Sequence, residues 1–186
     1  MQFQSEHFEI EVIDESSYDS SSSKNSRQYT KEYLLGKNFG NASRYGVSVK
    51  SIDGSINSCV ILANGGISNI HTNSVVVMNE SLFVAIGNLI CCFKIPSLAL
   101  QWQQQVDTAT CFGIYASPDK NGVISHGEID IAKINFIGQI EWKASGKDIF
   151  SEGFILSSDH VEAIDFNHEK YRINIFNGQV SLIHGG

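Results

Sequence analysis

No stretch of this 186-residue chain approaches the roughly 20 consecutive apolar residues that a membrane-crossing helix needs. The longest apolar runs, 82–86 and 89–93, are strand-sized and are broken by Gly87-Asn88. A sustained 3.6-residue apolar period is missing too, which excludes a helical bundle. With only two prolines and sixteen glycines, the chain is neither a Pro-rich linker nor collagen-like. The start, Met1-Gln2-Phe3-Gln4-Ser5-Glu6, has neither the basic residues nor the apolar core of a signal peptide, so a cytoplasmic location is expected.

Basic charge is sparse. Thirteen Lys and Arg stand against twenty Asp and Glu, and no basic stripe is visible, which argues against nucleic acid as a partner. The imbalance is local: residues 1–20 hold Glu6, Glu9, Glu11, Asp14, Glu15 and Asp19 without one Lys or Arg, so nearly all of the net charge of −7 lies there. Cysteine is limited to Cys59, Cys91, Cys92 and Cys111, with no C-x-x-C pair. On a strand, Cys91 and Cys92 point to opposite faces, and a bond between them is strained. Reduced, structural thiols are expected, with no cysteine metal site.

What is present is repetition. Gly138-Gln139-Ile140 recurs as Gly178-Gln179-Val180, forty residues on, and Trp102 and Trp142 keep the same interval. Each triplet closes a run of short alternating segments. Residues 74–78, 81–86, 89–95 and 98–106 form one set of four strands. Residues 111–115, 122–126, 129–134 and 139–142 form the next, and 154–156, 160–165, 171–175 and 179–183 the last. A fourth, irregular unit precedes them, with an alternating segment at Phe8, Ile10 and Val12 and a hairpin at Asp53-Gly54-Ser55. The Ser-rich segment opening the 15–44 insertion reads as a loop too polar to bury anything, and 26–36 as one short helix capped by Ser26 and ended by Gly36. The expectation is a single all-β domain over 1–186, made of about four β-meander units of roughly 40 residues. These form a small closed ring or an open stack, with a β-sandwich as the alternative.

Tyr171, Ile173, Gly178 and Val180, with Gly138, Ile140 and Trp142 closing the preceding unit, resemble the blade repeat of quinoprotein-type β-propellers over residues 74–183. The resemblance implies a propeller-like architecture. It implies no quinone, because the binding constellation of the large quinoproteins is missing. The whole chain also resembles small bacterial proteins that place a segment like His126-Gly127-Glu128 before a Gly-x-Ile-x-Trp strand, and this supplies no active site.

For chemistry, the richest constellation is His126, Glu128 and Asp130. If one strand carries them, alternation puts an imidazole and two carboxylates on one face, suited to a metal or to acid–base hydrolysis. His160-Val161-Glu162, near Asp165 and His168, is a second His-x-Glu pair. His71 and Asn73 read as turn residues and the two tryptophans as core. Structural roles are the simpler reading of all of these, and no cofactor or metal is expected. The first functional expectation is a binding protein of antitoxin or immunity type, offering Glu6, Glu9, Glu11 and Asp14 to a basic protein partner, with neither nucleic acid nor membrane involved. A small metal-dependent or acid–base hydrolase using His126, Glu128 and Asp130 is the alternative.

Overall fold

Every segment with apolar residues at alternate positions pairs edge to edge with a neighbour in the computed structural model, which describes residues 1–4, 7–37 and 39–183. The first sheet contains β1 (Gln2–Gln4), β2 (Phe8–Asp14), β3 (Lys31–Leu35), β4 (Ser43–Ser51) and β5 (Ile56–Ala63), in the spatial order β1-β2-β4-β5-β3. Three antiparallel meanders follow. The second sheet is β6 (Val75–Met78), β7 (Ser81–Ile86), β8 (Leu89–Lys94) and β9 (Ala99–Gln105). The third is β10 (Cys111–Ala116), β11 (Gly122–Gly127), β12 (Asp130–Asn135) and β13 (Ile140–Ser145). The fourth is β14 (Gly153–Leu156), β15 (His160–Ile164), β16 (Lys170–Asn174) and β17 (Val180–Ile183). The described residues include no helix, and so none long and apolar enough to cross a membrane.

Three buried clusters hold the sheets in a row. Val12, Tyr45 and Ile61 of the first sheet meet Leu82, Val84 and Phe93 of the second. Phe83 and Ile90 meet Ile114, Val123 and Ile134 of the third. Ile124, Ile131 and Trp142 meet Val161, Tyr171 and Ile173 of the fourth. The inner strands of the second and third sheets are therefore covered on both faces, which explains their unbroken apolar runs. Among the described residues no buried cluster joins the fourth sheet back to the first, so the row is open rather than a ring.

The forty-residue repeat records how one sheet locks onto the next. In β9 a bulge at Gln101 shifts the pairing from Leu100–Phe93 to Trp102–Cys92, and in β13 a bulge at Glu141 shifts it from Ile140–Ile134 to Trp142–Lys133. The extra residue turns each tryptophan toward the following sheet. There Trp102 Nε1 donates to the Phe136 carbonyl and Trp142 Nε1 to the Ile175 carbonyl, both at 2.8 Å. Gly138 and Gly178 complete the lock. Both have positive φ (+84° and +71°), and a Cβ on either would come within 2.7 Å of the tryptophan side chain it faces. The first sheet makes the same step with a different residue, because Tyr33 in its outermost strand donates to the Leu98 carbonyl at 2.6 Å.

Two expectations for residues 15–44 are corrected. The segment expected as a helix contains β3, a strand parallel to β5. Tyr33 and Leu35 turn to the core while Glu32 and Leu34 face outward, a period of two, and β3 supplies partners for an edge of β5 that would otherwise be bare. The serine-rich segment is not merely polar filler either. Tyr18, 6% exposed, packs with Tyr29 on Val60 and Leu62, capping the outer face of the first sheet. Glu15, expected in the acidic field, is 6% exposed and accepts from the Tyr29 hydroxyl, as Glu32 does from Tyr18.

Candidate functional site

The strand face expected to unite His126, Glu128 and Asp130 does not form. His126 lies near the end of β11, Glu128 in the hairpin turn and Asp130 at the start of β12, so period-two alternation stops between them. Asp107, buried and remote in sequence, builds that turn: its Oδ2 accepts from the Ile129 and Asp130 amides at 2.9 Å each, and its Oδ1 from the Ala109 amide at 2.7 Å. Asp130 then aims at β13, accepting from Ser145 Oγ at 2.6 Å and Lys143 Nζ at 3.1 Å. Glu128 ties strands together through its backbone, its amide donating to Thr110 and its carbonyl accepting from Phe150.

His126 points into the seam between the third and fourth sheets. Its ring stacks on Phe154 at 4.6 Å between centroids and meets Phe112 edge-on at 5.4 Å. Nε2 lies 3.1 Å from the Phe150 carbonyl, an acceptor only, which assigns the proton to Nε2. Burial holds its pKa below the ordinary value, against the opposing pull of that carbonyl and of Asp107. Phe154 stacks on its other neighbour, Tyr115, at 4.5 Å, so the imidazole is one plate of an aromatic stack joining two sheets. His71, expected in a turn, sits in one, with Nε2 at 2.6 Å from the Phe112 carbonyl. The described residues hold no group of three His, Cys, Asp or Glu arranged to bind a metal ion.

The second His-x-Glu pair does share a face. His160 contacts Asp159 Oδ1 at 2.6 Å through Nδ1 and Glu162 Oε1 at 3.2 Å through Nε2, on the outer surface of the fourth sheet. Asp165 is fully buried and organises the following turn through the Asn167 and Glu169 amides and the Tyr171 hydroxyl.

The acidic start builds a different kind of site. Ile10 and Val12 enter the core while Glu9 and Glu11 face outward, as alternation requires. They line a groove of about 570 Å³ on the outer face of the first sheet, with Gln2, Gln4, Ser48, Lys50 and Ile56. Asp14 is exposed at the far end of β2, and Glu6 lies outside the described residues. The field is not purely negative: Lys50 Nζ lies 3.5 Å from Glu9, and Arg27 Nη1 lies 3.1 Å from Glu11. Both cations come from beyond residue 20, so charge counting along the first strand missed them. The cross-strand register Glu9–Lys50 is what delivers one of them. One edge of the groove is β1, whose outer side has no strand partner among the described residues.

No family model and no curated protein sequence matches the chain. Solved structures do match in fold. The computationally designed Ika8 protein aligns with a TM-score of 0.54 at 14% identity over 82% of this chain. Hydrazine synthase of Kuenenia stuttgartiensis aligns at 0.53 and 12% over 82%, and the β-propeller domain of Cps50 (Swd1) from Myceliophteria thermophila at 0.53 and 9% over 78%. The chain spans 48%, 49% and 57% of those chains, about half of each. At such identities the likeness concerns the fold alone: an all-β, propeller-like row of four small sheets.

Proposed function

We propose that this protein is a binding module that receives an extended, basic segment of a protein partner in the groove of the first sheet. The groove itself carries the reading: it pairs outward carboxylates with an open strand edge, so one segment can add to β1 through its backbone and place Lys or Arg beside Glu9 and Glu11. An antitoxin or immunity role toward a basic partner fits that chemistry. The quinoprotein-like cadence of the later blades serves, on this reading, as scaffold without the cofactor. The hydrolase reading has less support, since Asp130 is tied to β13 and His126 to the sheet seam.

The test is the association rate of extended Lys/Arg-containing peptides, measured against ionic strength for the native chain and a Glu9→Gln/Glu11→Gln variant. The native chain is expected to associate faster at low salt. The difference should shrink near physiological strength, where the screening length is about 8 Å. Equal rates at low salt, or no binding by the native chain, defeats the proposal.

A further inference from the structure

At the opposite end of the row, the outer strand of the fourth sheet breaks the pattern of the two before it. β9 and β13 each carry a bulge and exposed polar residues, Gln101 and Gln103 in one, Glu141 and Lys143 in the other. Bulges and charges are the devices that keep edge strands from pairing with other chains. β17 has neither: its sequence is Val-Ser-Leu-Ile, and its register with β16 runs unshifted from Ile183–Lys170 to Val180–Ile173. Without the bulge, Leu182, which occupies the repeat position of Trp102 and Trp142, is not turned outward to meet a following sheet. It shares the side of Tyr171, as Val180 shares that of Ile173, and each is 39% exposed.

The backbone of this edge is also ordered for pairing. The Asn174 amide donates to the Gln179 carbonyl at 2.9 Å, which marks 174–179 as a hydrogen-bonded pair. Antiparallel alternation then makes 172–181 and 170–183 hydrogen-bonded pairs as well. The amides and carbonyls of Val180 and Leu182 consequently point away from β16, toward the open edge.

We propose that β17 is a self-association edge whose occupant is β17 of a second copy, running antiparallel about a two-fold axis at Ser181. In that register Val180 of one copy faces Leu182 of the other, and the reverse. The residues with outward amides and carbonyls are thus the ones that face each other, and their half-exposed side chains cover one another. This is the reciprocity a two-fold interface demands. Association through this edge ends at two copies, because the two-fold pairing uses the β17 edge of both partners and leaves neither for a third. The proposal does not depend on the groove of the first sheet, and the pair would carry two such grooves at its ends.

Sedimentation of the full chain over a concentration series tests this. The expected result is a concentration-dependent dimer with a dissociation constant in the micromolar range, since a single strand pair buries little area. Leu182→Pro removes an outward amide without removing a bond to β16 and should raise the dissociation constant about tenfold or more, with an unchanged far-ultraviolet spectrum. Should that variant fold poorly, Val180→Lys places a charge on the edge and is expected to do the same. A native chain that stays monomeric up to about 500 µM overturns the proposal, as does a dimer that a folded edge variant leaves intact.

Discussion

Single residues here are committed to structure more heavily than their chemistry advertises. All four cysteines are free and buried. Burial pushes the thiols of Cys59 and Cys111 up to about 12 and that of Cys92 to about 11. The thiolate is the reactive form, so a thiol reagent at pH 8 is expected to modify the native chain slowly and to reach all four only after denaturation. Rapid labelling of the native protein would contradict this. His126 gives a second prediction. Its pKa is lowered by burial, so as pH falls below about 6.5 the unfolded chain takes up a proton that the native one resists. Stability is therefore full above that pH and is lost as pH falls toward the lower native value. Melting temperatures between pH 8 and 5 should fall more for the native protein than for His126→Phe, which keeps a ring in the stack but has no proton to gain. Parallel slopes would show that His126 is not the group responsible.

At the scale of elements, the lock between sheets is the feature that the sequence displayed most openly and explained least. The interval between Trp102 and Trp142, and the glycines at 138 and 178, were visible as a repeat. That each indole lies over the glycine one unit further on was not, because the contact spans 36 residues and depends on a bulge. The same limit applies to the candidate site. Alternation correctly sent Glu9 and Glu11 outward, but it failed at His126 because a hairpin turn resets the period, and nothing near Asp107 in sequence announced that it would hold that turn. The strand β3 was hidden for a related reason: its partner β5 begins 21 residues after β3 ends, and parallel pairing leaves no local turn signal. If the lock matters energetically, Trp142→Phe leaves the Ile175 carbonyl without its donor and should cost about 1–3 kcal/mol. Gly178→Ala forces a methyl against the same indole at positive φ and should cost a similar amount, about 1–3 kcal/mol. Since both act on one contact, chemical denaturation of the double variant should show less than the sum of the two losses.

Across the whole molecule, the row arrangement sets where the chain opens first. In a stack of sheets each unit is stabilised by its own pairing and by the seams with its neighbours. The second and third sheets have a seam on both faces. The first has one seam plus the tyrosine cap on Val60 and Leu62. The fourth has one seam and, among the described residues, no cap, and leaves Ile155, Phe166 and Phe176 each about 60% exposed. Local opening follows the number of buried contacts an element would lose, so amide protection should be highest in β7, β8, β11 and β12 and lowest in β14 to β17, with the first sheet between. Hydrogen exchange at low protein concentration, where pairing through β17 contributes nothing, reads this gradient directly. Tyr18→Ala should lower protection in β5 without moving the amides of β12, because the cap and the third sheet share no buried cluster. Uniform protection across the four sheets would mean that the row unfolds as one cooperative body, with the seams strong enough to transmit the loss of any single sheet to the rest.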